Sequence, residues 1–337
     1  MSAHAFTHSV RLVIAAAALL ASPAALADSW SWKIDGLPAS GDCWDKAAEI
    51  GSRFQSVTGI RPTDVRCSAI TAEAFDILLE YESESRLPLL STRGSSRGSV
   101  GQFQTLEECR ATLGRATASF KTNTGLEPIT ADCHKDTFVR THQWGWRIES
   151  FGNAAKKPFI ESELILEDPA SMTWRDLGLS LRTALSERGI QTEFMSFRGN
   201  GPVERRVTML YYAADSFDLN NVQHGRYDSQ EDCFEELPHV SSTLTIGRPL
   251  VTLCSSAGVG GTHYIMGFWM NGPGTRQVSS PENWPTLKEC RANLDAIVEA
   301  WRARGQDVKG AFCAKPEDAF SDGENYRVQL VFSQTRN

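Results

Sequence analysis

The chain has 337 residues, 41% of them hydrophobic and 22% charged, with a mean hydropathy of −0.30. These values fit a globular protein and argue against wholesale disorder or a multi-span membrane protein. The formal charge of −7 has the wrong sign for a general affinity for nucleic acid or anionic membrane; the length by itself gives a prior of about two domains.

Residues 1–27 read as a secretory signal. Arg11 closes a weakly charged start, and Leu12 to Ala21 is an unbroken apolar run, too short for a stable anchor. Ala25-Leu26-Ala27 supplies the small residues that a signal peptidase accepts. The expected cut after Ala27 leaves a mature chain of 28–337. Its first cysteine is Cys43, which argues against a lipid anchor. No later apolar stretch reaches membrane length. The short Ala-rich signal has a bacterial style, so the expectation is a periplasmic or extracellular protein with no integral membrane segment in the mature chain.

All 8 cysteines follow that segment. Cys43 to Cys67 and Cys109 to Cys133 are 24 residues apart, Cys233 to Cys254 is 21, and Cys290 to Cys313 is 23. An even count with near-equal spacings predicts one local disulfide per pair in an oxidising compartment. Zinc ligation would want close pairs such as C-x-x-C, and there are none.

The first cysteine of each pair anchors an internal repeat. Thr105-Leu-Glu-Glu-Cys109-Arg-Ala matches Thr286-Leu-Lys-Glu-Cys290-Arg-Ala, and Ser229-Gln-Glu-Asp-Cys233 has the same form. Thr173-Trp-Arg-Asp-Leu177 is a copy without cysteine. Ser or Thr three residues before Glu or Asp is the capping-box pattern, whereas Ser40-Gly-Asp-Cys43 offers a cap without the same box. Four, seven and eleven residues beyond the anchor, apolar side chains recur on one helix face: Ala47, Ile50 and Phe54; Leu113, Ala116 and Phe120; Leu237, Val240 and Leu244; Leu294, Ile297 and Trp301. The cysteine-free copy has Leu181, Ala184 and then Arg188. Glycines at 59, 125, 189, 247 and 305 stand where each helix should stop.

A short strand with the second cysteine follows each helix, and then a longer one: Phe75–Glu82, Thr141–Glu149, Arg206–Ala213, Thr262–Met270 and Tyr326–Ser333. Strands such as Trp30–Ile34 and Phe159–Leu166 precede the helices. The expected fold class is α+β, with five tandem β-α-β-β units at 28–86, 87–155, 156–218 (free of cysteine), 219–274 and 275–337. A right-handed crossover makes its two strands parallel, so the expected sheet is mixed, with helices on one face. The unit shape resembles that of β-α-β modules such as the peptidoglycan-binding SPOR domain, in pairing a sheet with helices on one side and in no residue motif. Each disulfide would tie a helix to the strand returning beneath it, and in the cysteine-free unit Leu177 would pack on Phe194 or Met195 instead.

Signatures of catalysis are scarce. There is no G-x-S-x-G, P-loop, H-E-x-x-H or G-x-G-x-x-G, and Gly94-Ser-Ser-Arg-Gly-Ser99 lacks the lysine of a phosphate loop. No catalytic residue, metal or cofactor is expected. The strongest pointer to a ligand is aromatic: Trp144 and Trp146 share a strand face with His142, and Trp269 shares one with His263. On an open sheet surface such rings stack sugars or anchor a protein; beneath a helix they are core. The expectation is a non-catalytic binding or structural repeat protein for a cell-envelope glycan or a protein partner. The rivals are an envelope-polymer hydrolase and a secreted inhibitor or effector.

Overall fold

The computed structural model describes residues 27–38, 42–71, 74–93, 103–135, 144–165, 168–199, 205–256, 262–316 and 325–333. Apart from Ala27, the expected signal segment lies outside them.

The chain begins with β1 (Asp28–Pro38), α1 (Cys43–Thr58), β2 (Asp64–Thr71) and β3 (Ala74–Ser83). It continues with β4 (Leu89–Arg93), α2 (Leu106–Thr124), β5 (Thr130–Lys135) and β6 (Trp144–Phe151). Next come β7 (Lys157–Ile165), the two-residue β8 (Asp168–Pro169), α3 (Trp174–Ser186), β9 (Gln191–Gly199) and β10 (Arg205–Ala213). The remainder is β11 (Leu219–Tyr227), α4 (Gln230–Leu244), β12 (Val251–Ser256) and β13 (His263–Met270), then β14 (Thr275–Ser279), α5 (Leu287–Ala303), β15 (Gly310–Ala314) and β16 (Arg327–Ser333). The protein is thus α+β, with five helices and several small sheets among the described residues.

Four helices, α2 to α5, start where the sequence predicts, whereas α1 starts at Cys43 itself and not a turn ahead of it. Thr105 accepts the Glu108 N–H while Glu108 reaches back to the Thr105 N–H, a complete capping box. Thr173, Ser229 and Thr286 cap α3, α4 and α5 from the same position. Asp42 caps α1, accepting the Trp44 N–H at 2.7 Å. Gly59 and Gly125 close α1 and α2 in the left-handed conformation that a side chain would strain.

The sheets are not mixed. Strand orders are β1-β3-β2, β4-β6-β5, β7-β10-β9, β11-β13-β12-β8 and β14-β16-β15, and every pairing is antiparallel. The crossover β1-α1-β2 does make its strands parallel, but it leaves a gap one strand wide. The hairpin strand β3 fills that gap and runs against both neighbours.

All four expected disulfides are present, each with its Cα atoms 6.0 to 6.2 Å apart. Cys109, Cys233 and Cys290 stand fourth in their helices and are fully buried. Leu177 holds the same place in α3 and is also fully buried, sharing a core with Met195; Phe194 belongs to the neighbouring core. Disulfides persist in oxidising compartments, and no described helix is long and apolar enough to cross a membrane.

The sheets and helices stack. The α1 core, built on Ile50 and Phe54, takes in Ile129 and Phe151 from the next sheet's side. The α2 core likewise takes in Leu210 and Tyr212 of β10. On β13, Tyr264, Met266 and Phe268 enter the core of α3, while Ile265 and Trp269 enter the core that α4 shares with α5. Alternate side chains of one strand therefore serve two cores, and the inner sheets are covered on both faces.

Candidate functional site

That double cover decides where the aromatic candidates sit. Trp146 is fully buried with Cys109 and Phe120, its ring 5.9 Å from Phe194. Trp144 is half-buried, and its backbone N–H and C=O each pair with Phe103 at 2.8 Å. Trp269 is fully buried and meets His224 edge-on at 5.9 Å; His263 is half-buried at the start of the same strand. His142 lies outside the described residues. The pairs Trp144 and Trp146, and Trp269 and His263, belong to different sheets and different cores. No open aromatic face is assembled from Trp146 and Trp269, because α2 covers the sheet face that carries Trp146 and the core of α4 and α5 encloses Trp269.

The side chains that do converge on solvent lie between α4 and α5. A cleft of about 480 Å³ is lined by Asp228, Asp232 and Glu235 on one side, by Pro285, Leu287, Lys288 and Arg291 on the other, and by Tyr326. The local sequence explains each wall. Ser229 caps α4, which places Asp232 in its first turn and Glu235 one turn on. Thr286 caps α5, which places Lys288 and Arg291 on its first turns. Tyr326 pairs across the backbone with Trp284 just ahead of β16.

Beneath the rim the walls are tied together. Glu236 is fully inside, at 1% exposure. One of its oxygens accepts the Cys313 N–H at 3.0 Å, and the other accepts Arg291 Nε at 2.5 Å. Arg291 Nη1 also reaches Glu235 at 2.7 Å. Partial desolvation works against the Arg291 charge, but the bonds and charges of Glu236 and Glu235 outweigh it and raise its pKa. The Tyr326 hydroxyl donates to Asp232 and accepts the Asp228 N–H, each at 3.3 Å. Lys315 Nζ bonds Asp228 at 2.5 Å and lies 5.2 Å from the Tyr326 ring centre. Burial is the main cause that lifts the Tyr326 pKa, so this phenol stays protonated and able to donate. Tyr227, fully buried below, is pushed up by burial and by Glu236.

Chemically the cleft offers carboxylate acceptors and cationic and phenolic donors on fixed walls, the set that recognises hydroxyl-rich ligands. The sequence reading missed it. Arg291 repeats Arg110 after its anchor cysteine, but nothing in the order of residues says that it will meet Glu235 and Glu236 across a helix pair. A second cleft of about 320 Å³ between α1 and α2 is lined by Arg53, Lys121 and Glu127, among others. Lys121 is paired to Glu127 at 2.5 Å and Arg53 to Glu49 at 2.8 Å. No group of three or more His, Cys, Asp or Glu among the described residues is placed to hold a metal ion. No protein family, curated protein or solved structure matches this chain.

Proposed function

We propose that this is a secreted or periplasmic, non-catalytic binding protein that holds a cell-envelope glycan in the α4–α5 cleft. It is made of five tandem units, at 28–86, 87–155, 156–218, 219–274 and 275–337. One observation carries the reading: a polar cleft whose two walls are each stapled, by Cys233–Cys254 and Cys290–Cys313, and bolted together by Glu236 and Arg291. Rigid walls cut the ordering cost of binding. The five-unit reading draws its support from the shared cap position and anchor residue of α2 to α5 and from the common strand order.

The three carboxylates lining the cleft favour one rival, an envelope-polymer hydrolase, since paired carboxylates can supply an acid and a base. One experiment separates the two. Purified peptidoglycan and capsule are incubated with the wild type and with Asp232→Asn, and both retained protein and released reducing ends are measured. Binding predicts retention that falls about tenfold in the variant, a loss of about 1.4 kcal/mol, with no sugar released. Release of reducing ends by the wild type, abolished in Asp232→Asn, makes it the hydrolase. Equal retention of both proteins removes the cleft from the reading.

A further inference from the structure

We propose that the Cys43–Cys67 staple is a thiol–disulfide exchange site, one that an incoming dithiol opens while the fold stands. Three staples are sealed: the exposure of Cys109, Cys133, Cys233, Cys254, Cys290 and Cys313 runs from 0% to 6%. Cys43 and Cys67 are both only half-buried. The cause is a shift of position. Where the other three anchors stand fourth after their caps and turn onto the sheet, Cys43 stands first after Asp42, at the mouth of the helix. Cys67 lies on β2, an edge strand, between the exposed Arg66 and Ser68. Trp44, next to Cys43 in the chain, is 62% exposed and offers a reductant an apolar contact.

The geometry also sets the direction of attack. A reductant thiolate attacks Cys67 Sγ, the S–S bond breaks, and Cys43 leaves as the thiolate. Its place at the N-terminus of a 16-residue helix stabilises that negative charge, and it then takes up a proton. The second thiol of the reductant attacks the mixed disulfide and releases Cys67. The net transfer is two electrons and two protons to the protein, and the reductant departs as a disulfide. The helix does not depend on the bond to stay in place: Ala47, Ile50 and Phe54 remain buried under it, and Lys46 reaches Asp132 across to β5 at 3.1 Å. Opening is therefore local.

The test is partial reduction of the whole protein by dithiothreitol without denaturant, trapped with iodoacetamide and mapped by peptide. Amide exchange across α1 is followed in parallel. The expected result is alkylation of Cys43 and Cys67 at least about tenfold faster than of the other six, with the amides of residues 47–54 protected throughout. Opening of another pair first, or of all four together, overturns the proposal. So does loss of α1 protection in step with alkylation, because the bond would then open only through unfolding. In the Cys43→Ser, Cys67→Ser variant the remaining three pairs should keep their slow rates; faster rates would show that the first staple guards the rest, and would overturn it too.

Discussion

A neutral imidazole is less costly to bury than a charged one, and His224 is buried as the neutral form. It is 2% exposed on β11; its Nδ1 meets Gln277 Oε1 of β14 at 2.9 Å, and Nε2 has no hydrogen-bond partner among the described residues. Desolvation pushes its pKa down from 6.5 to about 4, against a smaller opposing effect of the Gln277 bond. The unfolded chain takes up a proton below pH 6.5 that the folded chain refuses until about pH 4. This contribution to stability is therefore whole above the upper value, declines across the window, and is level below it. Urea titrations at several pH values should show a loss of up to about 3 kcal/mol over that range. In His224→Gln this part of the slope should vanish; an unchanged slope would mean that other groups carry it.

The helix-to-strand pair is the element on which the cysteines act. Closing a loop of about 25 residues removes about 3.5 kcal/mol of unfolded-chain entropy. Cys109→Ala with Cys133→Ala should cost roughly that amount in denaturant unfolding, because both sulfurs are buried and the rest of the α2 core is unchanged. In α3 the same place is filled by Leu177 without a covalent tie. The chain just before α3 makes a further connection of its own. β8 pairs with β12 and becomes the outermost strand of the following sheet, and Ala170 donates its N–H to Cys254 O at 2.8 Å. Helix starts, stops and cysteine partners were legible in the sequence because each depends on residues less than about 25 apart. Strand order was not. The handedness rule fixes the direction of a crossover but not whether a later hairpin enters the gap it leaves.

The whole molecule is a stack in which each inner sheet is covered on both faces, while the first sheet packs on α1 and leaves its other face to solvent. Its two ends are polar. The outer face of the first sheet carries the exposed Ser31, Lys33, Asp35, Arg66 and Ser68, and the outer face of α5 carries Lys288, Glu289, Asp295 and Glu299. The last two sheets are joined directly: Arg226 and Lys315 exchange backbone hydrogen bonds of 3.1 and 3.0 Å. Gly225 beside it has φ +124°, and any Cβ there would collide with Ala314. Gly225→Ala should therefore destabilise the fold by about 2 kcal/mol or more, read as a lower melting temperature. A variant as stable as the wild type would show that this approach is not required.

The sequence by itself determined the local machinery: five capped helices, four staples, the residue that replaces a staple in α3, and the long strand after each helix. Caps, periodic faces and short loop closures are written within a turn or a hairpin, so neighbouring residues suffice to specify them. Only the tertiary structure decided that Trp146 and Trp269 are core, because that depends on which face of its sheet each helix covers. It alone brought Asp228 to Tyr326 across 98 positions of sequence and Glu236 to Arg291 across 55. Contacts at that range are set by how whole elements stack, and no local pattern of residues encodes them.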